Sequence, residues 1–249
     1  MTFKDYFSTQ SNDYANYRPR YPRELAAELA KCCVNTEIAL DCGCGTGQLS
    51  VLLANYFRKV IATDASRQQI ENAEIHPRVT YKITTAENSQ LTEKSVDIIT
   101  VAQAAHWLDL DRFYAEARRI SKPAGIIALI TYGILFVDDK HCNSIVHDFY
   151  HNVLGAHWPP ERRHVESGYK TLAFPFQELP FPAMEMHASW NFHQLFGYLT
   201  TWSAFKAFEK TDKFQGIIEV FHRDLSASWM DLGAPKTIAW PLSGRIGKI

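Results

Sequence analysis

Residues 38–48 read Ile-Ala-Leu-Asp-Cys-Gly-Cys-Gly-Thr-Gly-Gln: a short apolar run, an acid, then glycines at 43, 45 and 47. Glycines at such spacing let the backbone take positive φ and approach a ligand closely. On the C-terminal side, Leu49 to Phe57 has the pattern of a helix, so the glycines lie where a strand turns into a helix. On the N-terminal side, Pro22 to Val34 has helical spacing, with Leu25, Leu29 and Cys32–Cys33 on one face and Pro22 suited to the first turn. Further along, Lys59 to Thr63 reads as a buried strand ending at Asp64, and the segment after it as a helix. Residues 79–83 and 96–102 are two more strands. A helix is expected from Asp109 to Ser121, then a turn at Lys122-Pro123-Ala124-Gly125, then a strand over 125–133.

Strands alternating with helices, the strands apolar nearly throughout, imply a parallel sheet covered on both faces. Right-handed crossovers make this a doubly wound, Rossmann-like α/β sheet. The rhythm changes after residue 135. Residues 142–157 look helical, and 158–182, with prolines at 159, 160, 175, 180 and 182, reads mainly as loop. MEMHASW at 184–190 is a candidate strand. Leu195, Leu199, Trp202 and Phe205 recur at helical spacing, as do Ile217, Ile218, Phe221 and Leu225. The last residues form a final strand or hairpin. With these additions a mostly parallel sheet of seven strands is expected, with helices on both faces and a C-terminal helical cap. The expected organisation is one domain over 1–249: an N-terminal arm (1–21), a sheet core (22–135), a cap region with a late strand (136–235) and a closing strand (236–249).

The chain has 249 residues, 46% hydrophobic and 21% charged, values of an ordinary globular protein. Its 26 basic and 27 acidic residues leave a net charge of -1, which provides no global field for nucleic acid or anionic membrane. The N-terminal segment is polar with no apolar run, and no stretch approaches the ~20 apolar residues of a membrane span. Five cysteines, an odd number, argue against an extracellular disulfide framework, so a reducing, cytoplasmic setting is expected. His147 and His151 have the spacing of a zinc helix but lack the intervening glutamate, and no metal is expected.

The acid at the end of the second strand, Asp64, lies 23 residues after Asp41. A carboxylate there normally accepts hydrogen bonds from ribose hydroxyls, which points to a nucleoside ligand at the switch point of the sheet. A dinucleotide loop needs a third glycine or alanine where this chain has Gln48, so that match fails.

At this point the sequence resembles the class I S-adenosylmethionine-dependent methyltransferases, whose first motif is an acid followed by G-x-G-x-G: here Asp41, Gly43, Gly45 and Gly47. The resemblance implies S-adenosylmethionine as cofactor. It places Asp41 at the methionine amino end, directly or through water, and Asp64 at the ribose. It sets Ala86–Glu87 by the adenine, with Gln103 also on the cofactor side. Tyr14 and Arg18 fall in an arm that folds over the cofactor in the resembled family. The segments 14–22, 102–107, 118–125, 197–205 and 240–248 resemble the narrower trans-aconitate methyltransferase-like branch, which includes enzymes that methylate carboxylate oxygens. Ala124 departs from the commoner Lys-Pro-Gly-Gly.

A small-molecule carboxylate is therefore the expected acceptor. A hydroxyl or amine of a small molecule or lipid is the alternative, and a non-catalytic cofactor-binding protein is a third class. A carboxylate arrives ionised and needs a cation rather than a base. The candidate arginines are Arg18, Arg20, Arg162, Arg163 and Arg245. His106 and Trp107, just after the fourth strand, are the candidates nearest the reacting methyl group: His106 to orient the acceptor or act as base, Trp107 as a wall. Tyr17, Arg20, Trp190, Tyr198, Trp202 and Arg245 are candidates for binding the acceptor.

Overall fold

The computed structural model describes residues 19–249. The expected alternation is present. Helix α1 (Arg23–Lys31) precedes β1 (Ile38–Cys42), α2 (Gln48–Leu53), β2 (Lys59–Asp64), α3 (Arg67–Glu71), β3 (Val79–Ile83) and β4 (Val96–Ala102). Then come α4 (Leu110–Ile120) and β5 (Ser121–Tyr132). The strands are ordered β3-β2-β1-β4-β5-β9-β6, where β6 is Phe136–Val137 and β9 is Lys236–Lys248. The first five are mutually parallel and β9 runs antiparallel to β5. Strands β7 (Gln177–Leu179) and β8 (Glu185–Trp190) also pair with β9; β8 is the strand expected at MEMHASW, and the short β6 and β7 are the two beyond the expected seven.

β9 is one long strand with two sets of neighbours. Residues 242–248 pair with β5 and their last three also with β7, whereas residues 236–241 pair with β8 and, at two positions, with β6. The chain end thus ties the nucleotide-type sheet to the cap.

Strand periodicity of two sorts the core into two layers. Ala39, Ile98, Ile126, Ala128 and Ile130 face α1, α2 and the cap helices. Leu40, Ile99, Val101, Ile127 and Leu129 face α4 and the segment around Val165 and Tyr169. Helix α4 begins where the Asp109 carboxylate accepts from the Arg112 amide, a side-chain cap.

Several boundaries differ from the sequence reading for local reasons. The helix expected to reach Phe57 stops at Leu53: the Asn55 amide donates to the Val51 and Leu52 carbonyls, and Phe57 turns into the core. Asp139 caps α5 (Lys140–Asp148), starting that helix earlier than expected. The chain then widens into a π turn (Phe149–Val153) and tightens into a 3-10 turn (Gly155–His157). The helical run through Phe205 is two helices, α7 (Phe192–Thr200) and α8 (Ser203–Phe208). The Thr200 and Thr201 hydroxyls donate back to the Gly197 and Tyr198 carbonyls at this break, yet Leu195, Leu199, Trp202 and Phe205 are all buried. Helix α9 (Phe214–Trp229) completes the cap. The proline-rich stretch holds a short helix, α6 (Arg162–Glu166), and β7.

The turn expected at 122–125 is a bulge in the β4–β5 pairing: Val96 faces Ser121, and Ile98 faces Ile126. Ala124 there has φ +60°, a left-handed conformation that a Cβ resists. Ala124→Gly is expected to raise unfolding stability by about 1 kcal/mol in urea denaturation, less the backbone entropy that glycine loses on folding. An unchanged or lower midpoint would contradict the strain.

Candidate active site

The glycine turn leaves β1 at the carboxyl edge of the sheet. Gly43, Gly45 and Gly47 all have positive φ, of 62°, 56° and 85°. Two of them are also sterically required. A Cβ on Gly43 would lie 2.7 Å from the Ala104 Cβ, and one on Gly47 would overlap the Tyr81 hydroxyl. Tyr81 is held there by donating to the Glu74 carbonyl at 2.7 Å.

Two acids fix this turn. Asp41, 1% exposed, accepts from the Ser50 hydroxyl at 2.6 Å and from the Thr100 hydroxyl at 2.8 Å. It therefore links the end of β1 to α2 and to β4. Burial pushes its pKa up to about 6, against the pull of both hydroxyls, with the Asp64 charge adding to the rise. With both oxygens engaged inside the protein, Asp41 supports the glycine turn from beneath.

Asp64 ends β2. Its two oxygens accept from the Gly45 amide at 2.9 Å and the Ser66 amide at 2.8 Å. These bonds aim the carboxylate toward the glycine turn. Left-handed glycines beside an aimed acid suit a nucleoside, because the backbone leaves room for its close approach. Ala86 is buried. Glu87 accepts from the Asp109 amide at 3.1 Å, which fastens the loop after β3 to the start of α4.

Gln103 has φ +57° and is spent on the protein. Its amide nitrogen donates to the Tyr132 carbonyl at 2.9 Å, and its oxygen accepts from the Thr131 hydroxyl at 3.2 Å. The expected cofactor contact is thus recast: Gln103 joins the ends of β4 and β5.

The 3-10 turn Ala105–Trp107 follows. His106 Nδ1 lies 2.9 Å from the Tyr169 hydroxyl, and the His106 and Trp107 rings are 4.7 Å apart. His106 with Tyr169, and Gln103 with Thr131, form two polar pairs at this end of the sheet. Burial lowers the His106 pKa to about 3, with the Arg162 and His164 charges adding to the effect. The imidazole is therefore neutral at any physiological pH. Tyr169 could not be found from the sequence, because it comes 63 residues after His106 and no spacing links them.

The acceptor candidates divide. Tyr14, Tyr17 and Arg18 lie outside the described residues. Trp190, Tyr198 and Trp202 are brought together: Tyr198 is 5.4 Å from Trp190 and 5.8 Å from Trp202, ring to ring. They are 9%, 7% and 8% exposed, and the Tyr198 hydroxyl accepts from Trp240. They are mainly an aromatic core under the cap, with only edges left for a ligand. Arg245 departs from the expectation: it ion-pairs with Glu178 on β7, donates to the Leu172 carbonyl and lies over Phe174. Its charge is thus already matched on β9, beside β5 and β7. Arg20 is exposed and 3.8 Å from Glu74, a surface pair. His147 is turned to the Leu135 carbonyl, and among the described residues no group of three acids, histidines or cysteines could hold a metal.

A parallel sheet in this order, an acid–G-x-G-x-G turn after β1 and an acid at the end of β2 define the S-adenosylmethionine-dependent methyltransferases of the Rossmann-like class. The chain belongs to the methyltransferase-domain family, whose model matches residues 40–129. It is 36% identical over 211 residues to a methyltransferase candidate of Dictyostelium discoideum, covering 84% of this chain and 80% of that protein. A Saccharomyces cerevisiae protein named for S-adenosylmethionine-dependent methyl transfer is 31% identical over 132 residues, 49% of this chain and 45% of that one. The structure of a type II methyltransferase candidate from Anaeromyxobacter dehalogenans superposes with a TM-score of 0.87 at 44% identity, covering 93% of this chain and 98% of that one. The protein is thus an S-adenosylmethionine-dependent methyltransferase.

Two measurements check this site. Asp64→Asn replaces one accepting oxygen by a donor facing an amide, and is expected to weaken S-adenosylhomocysteine binding roughly 10- to 100-fold in calorimetry. Asp41 titrates near 6 when folded and near 3.8 when unfolded, so the folded state holds the extra proton between. Its contribution is full below the unfolded value and is lost as pH rises through the folded one. Asp41→Asn is expected to remove that loss, on the order of 2 kcal/mol, from the difference between denaturation curves at about pH 4 and pH 7.

Proposed function

We propose that this methyltransferase acts on a carboxylate oxygen of a small organic acid, as members of the trans-aconitate methyltransferase-like branch do. The observation that carries the reading is the His106 imidazole. A histidine whose pKa is about 3 is too weak a base to take a proton from a hydroxyl or an ammonium near neutral pH. An acceptor whose lone pair is already available needs no such base, and a carboxylate, with a pKa of about 4, is one.

S-adenosylmethionine, when bound, supplies an activated methyl group on a sulfonium that leaves as a neutral thioether. The residues of the chain bind, orient and exclude water. The glycine turn, held by Asp41 and aimed by Asp64, is the cofactor seat, with Ala86–Glu87 along the adenine side. Trp107, beside His106 at the edge of β4, offers an aromatic face to a cationic centre. His106, fixed through Tyr169, orients the acceptor by a hydrogen bond. Alignment and dryness are what in-line transfer demands of a protein.

Small molecules are the partners under this reading, and a net charge of -1 gives nucleic acid no general attraction. Five free thiols accord with a reducing, cytoplasmic compartment. No described helix is long and apolar enough to cross a membrane.

The test is a panel of mono-, di- and tricarboxylates, phenols and amines with labelled S-adenosylmethionine, the products identified by mass spectrometry. Methyl esters are expected. Only ethers or N-methyl products would overturn the reading. His106→Gln is expected to lower kcat less than about tenfold and to leave the pH profile between about pH 5 and 8 unchanged in shape. Loss of a general base would instead cost about 10²- to 10⁴-fold.

A further inference from the structure

A carboxylate acceptor needs a cation in a partly dry place, and two of the expected arginines are committed elsewhere: Arg245 to Glu178 and Arg20 to the surface near Glu74. Arg162 is different. It opens α6, which packs against the 105–107 turn and against β5. Its Nε donates to the Tyr150 hydroxyl at 2.7 Å, and its guanidinium lies 4.6 Å from the Trp158 ring and 5.5 Å from the Tyr150 ring. Tyr150 is itself buried and donates to the Glu166 carboxylate at 2.6 Å. That leaves Glu166 bonded to the phenol, and no carboxylate among the described residues lies within ion-pairing distance of Arg162.

The guanidinium is therefore held at its Nε edge by the Tyr150 hydroxyl and lies over the Trp158 and Tyr150 rings, with no carboxylate among the described residues within ion-pairing distance. Contacts of this kind orient the fork. It borders an open cavity of ≈ 290 Å³ that Tyr150, Trp158, Arg163 and Glu166 also line, the Glu166 carboxylate being bonded to the Tyr150 hydroxyl. Its charge is felt at His106, Tyr169 and Tyr198, which come from three different parts of the chain.

We infer that Arg162, held by the Tyr150 hydroxyl and lying over Trp158, is the anchor for the acceptor's carboxylate. The inference rests on the proposed carboxylate chemistry and deepens it by naming the residue that selects the acid. As the carboxylate oxygen gives its electron pair to the methyl carbon, the carbon–sulfur bond breaks and its pair stays on sulfur; no proton moves. The acceptor loses negative charge along the way. An arginine that holds that charge thus contributes to binding more than to the rate of transfer.

The test compares Arg162→Gln and Arg162→Lys with the wild type on whichever carboxylate of the panel is esterified. Arg162→Gln is expected to raise its KM by about tenfold or more, with kcat changed less than about threefold. Arg162→Lys, which keeps charge but loses the fork and the stack, is expected to fall between. A second readout needs no turnover: calorimetric binding of benzoate and of glutarate to the cofactor-free enzyme is expected to weaken in the same order. S-adenosylhomocysteine affinity serves as the fold check, and if the Gln variant loses it, the Lys variant decides by the same KM criterion. Esterification with an unchanged KM in the deciding variant would overturn the role of Arg162 and leave the carboxylate reading standing. A panel yielding only ethers or N-methyl products would overturn both.

Discussion

The buried Asp41 carboxylate, bonded to Ser50 on one side and Thr100 on the other, is the constraint on which the cofactor side depends. It joins the end of β1 to the first turn of α2 and to β4, the three elements that surround the glycine turn. An ionised group at this depth is costly, and its raised pKa records that cost. The two hydroxyls offset part of it and give the carboxylate a single orientation. Because the turn itself is made of residues with positive φ, it has little side-chain packing of its own. Its shape comes from Asp41 beneath it, from Asp64 bound to the Gly45 amide, and from Tyr81 and Ala104 pressed against it.

A second layer of organisation starts from β5 and β9. The antiparallel pairing of β9 with β5 carries the chain end through the sheet, and the other half of β9 carries β6 and β8. The cap is therefore attached to the sheet by backbone hydrogen bonds as well as by side-chain packing. On one face this places Trp190, Tyr198 and Trp240 together; on the other it places Tyr169 under His106. His106 meets Tyr169, and Gln103 meets Thr131, at the sheet's carboxyl edge. Burial and the Arg162 charge both lower the imidazole's pKa. A protonated His106 there would meet both, so the site disfavours a cationic imidazole.

Much of the fold was legible because its signals are local. The β1 turn shows itself in Asp41, Gly43, Gly45 and Gly47, and the strands at 59–64, 79–83 and 96–102 are apolar runs bounded by polar residues. The errors came where local pattern and tertiary demand part. Leu195 to Phe205 keeps helical spacing across a break made by two threonine hydroxyls. The prolines between 159 and 182 hide α6 and β7, since proline density reads as loop regardless of what packs between. Of the arginines, Arg20, Arg162 and Arg245 have the same intrinsic chemistry, and nothing in spacing separates one that meets Glu178 from one that stacks on Trp158.

The sequence by itself determined the alternation of strand and helix and the glycine turn with an acid at the end of each of the first two strands, the pattern whose family resemblance names the cofactor, because each element is written in a short run of neighbouring residues. The tertiary structure alone decided which way those acids point and that Gln103 serves the sheet. It also decided that His106 is a weak base and that Arg162 meets no carboxylate among the described residues. These are properties of distance and burial between segments far apart in the chain, and no local pattern of residue types encodes them.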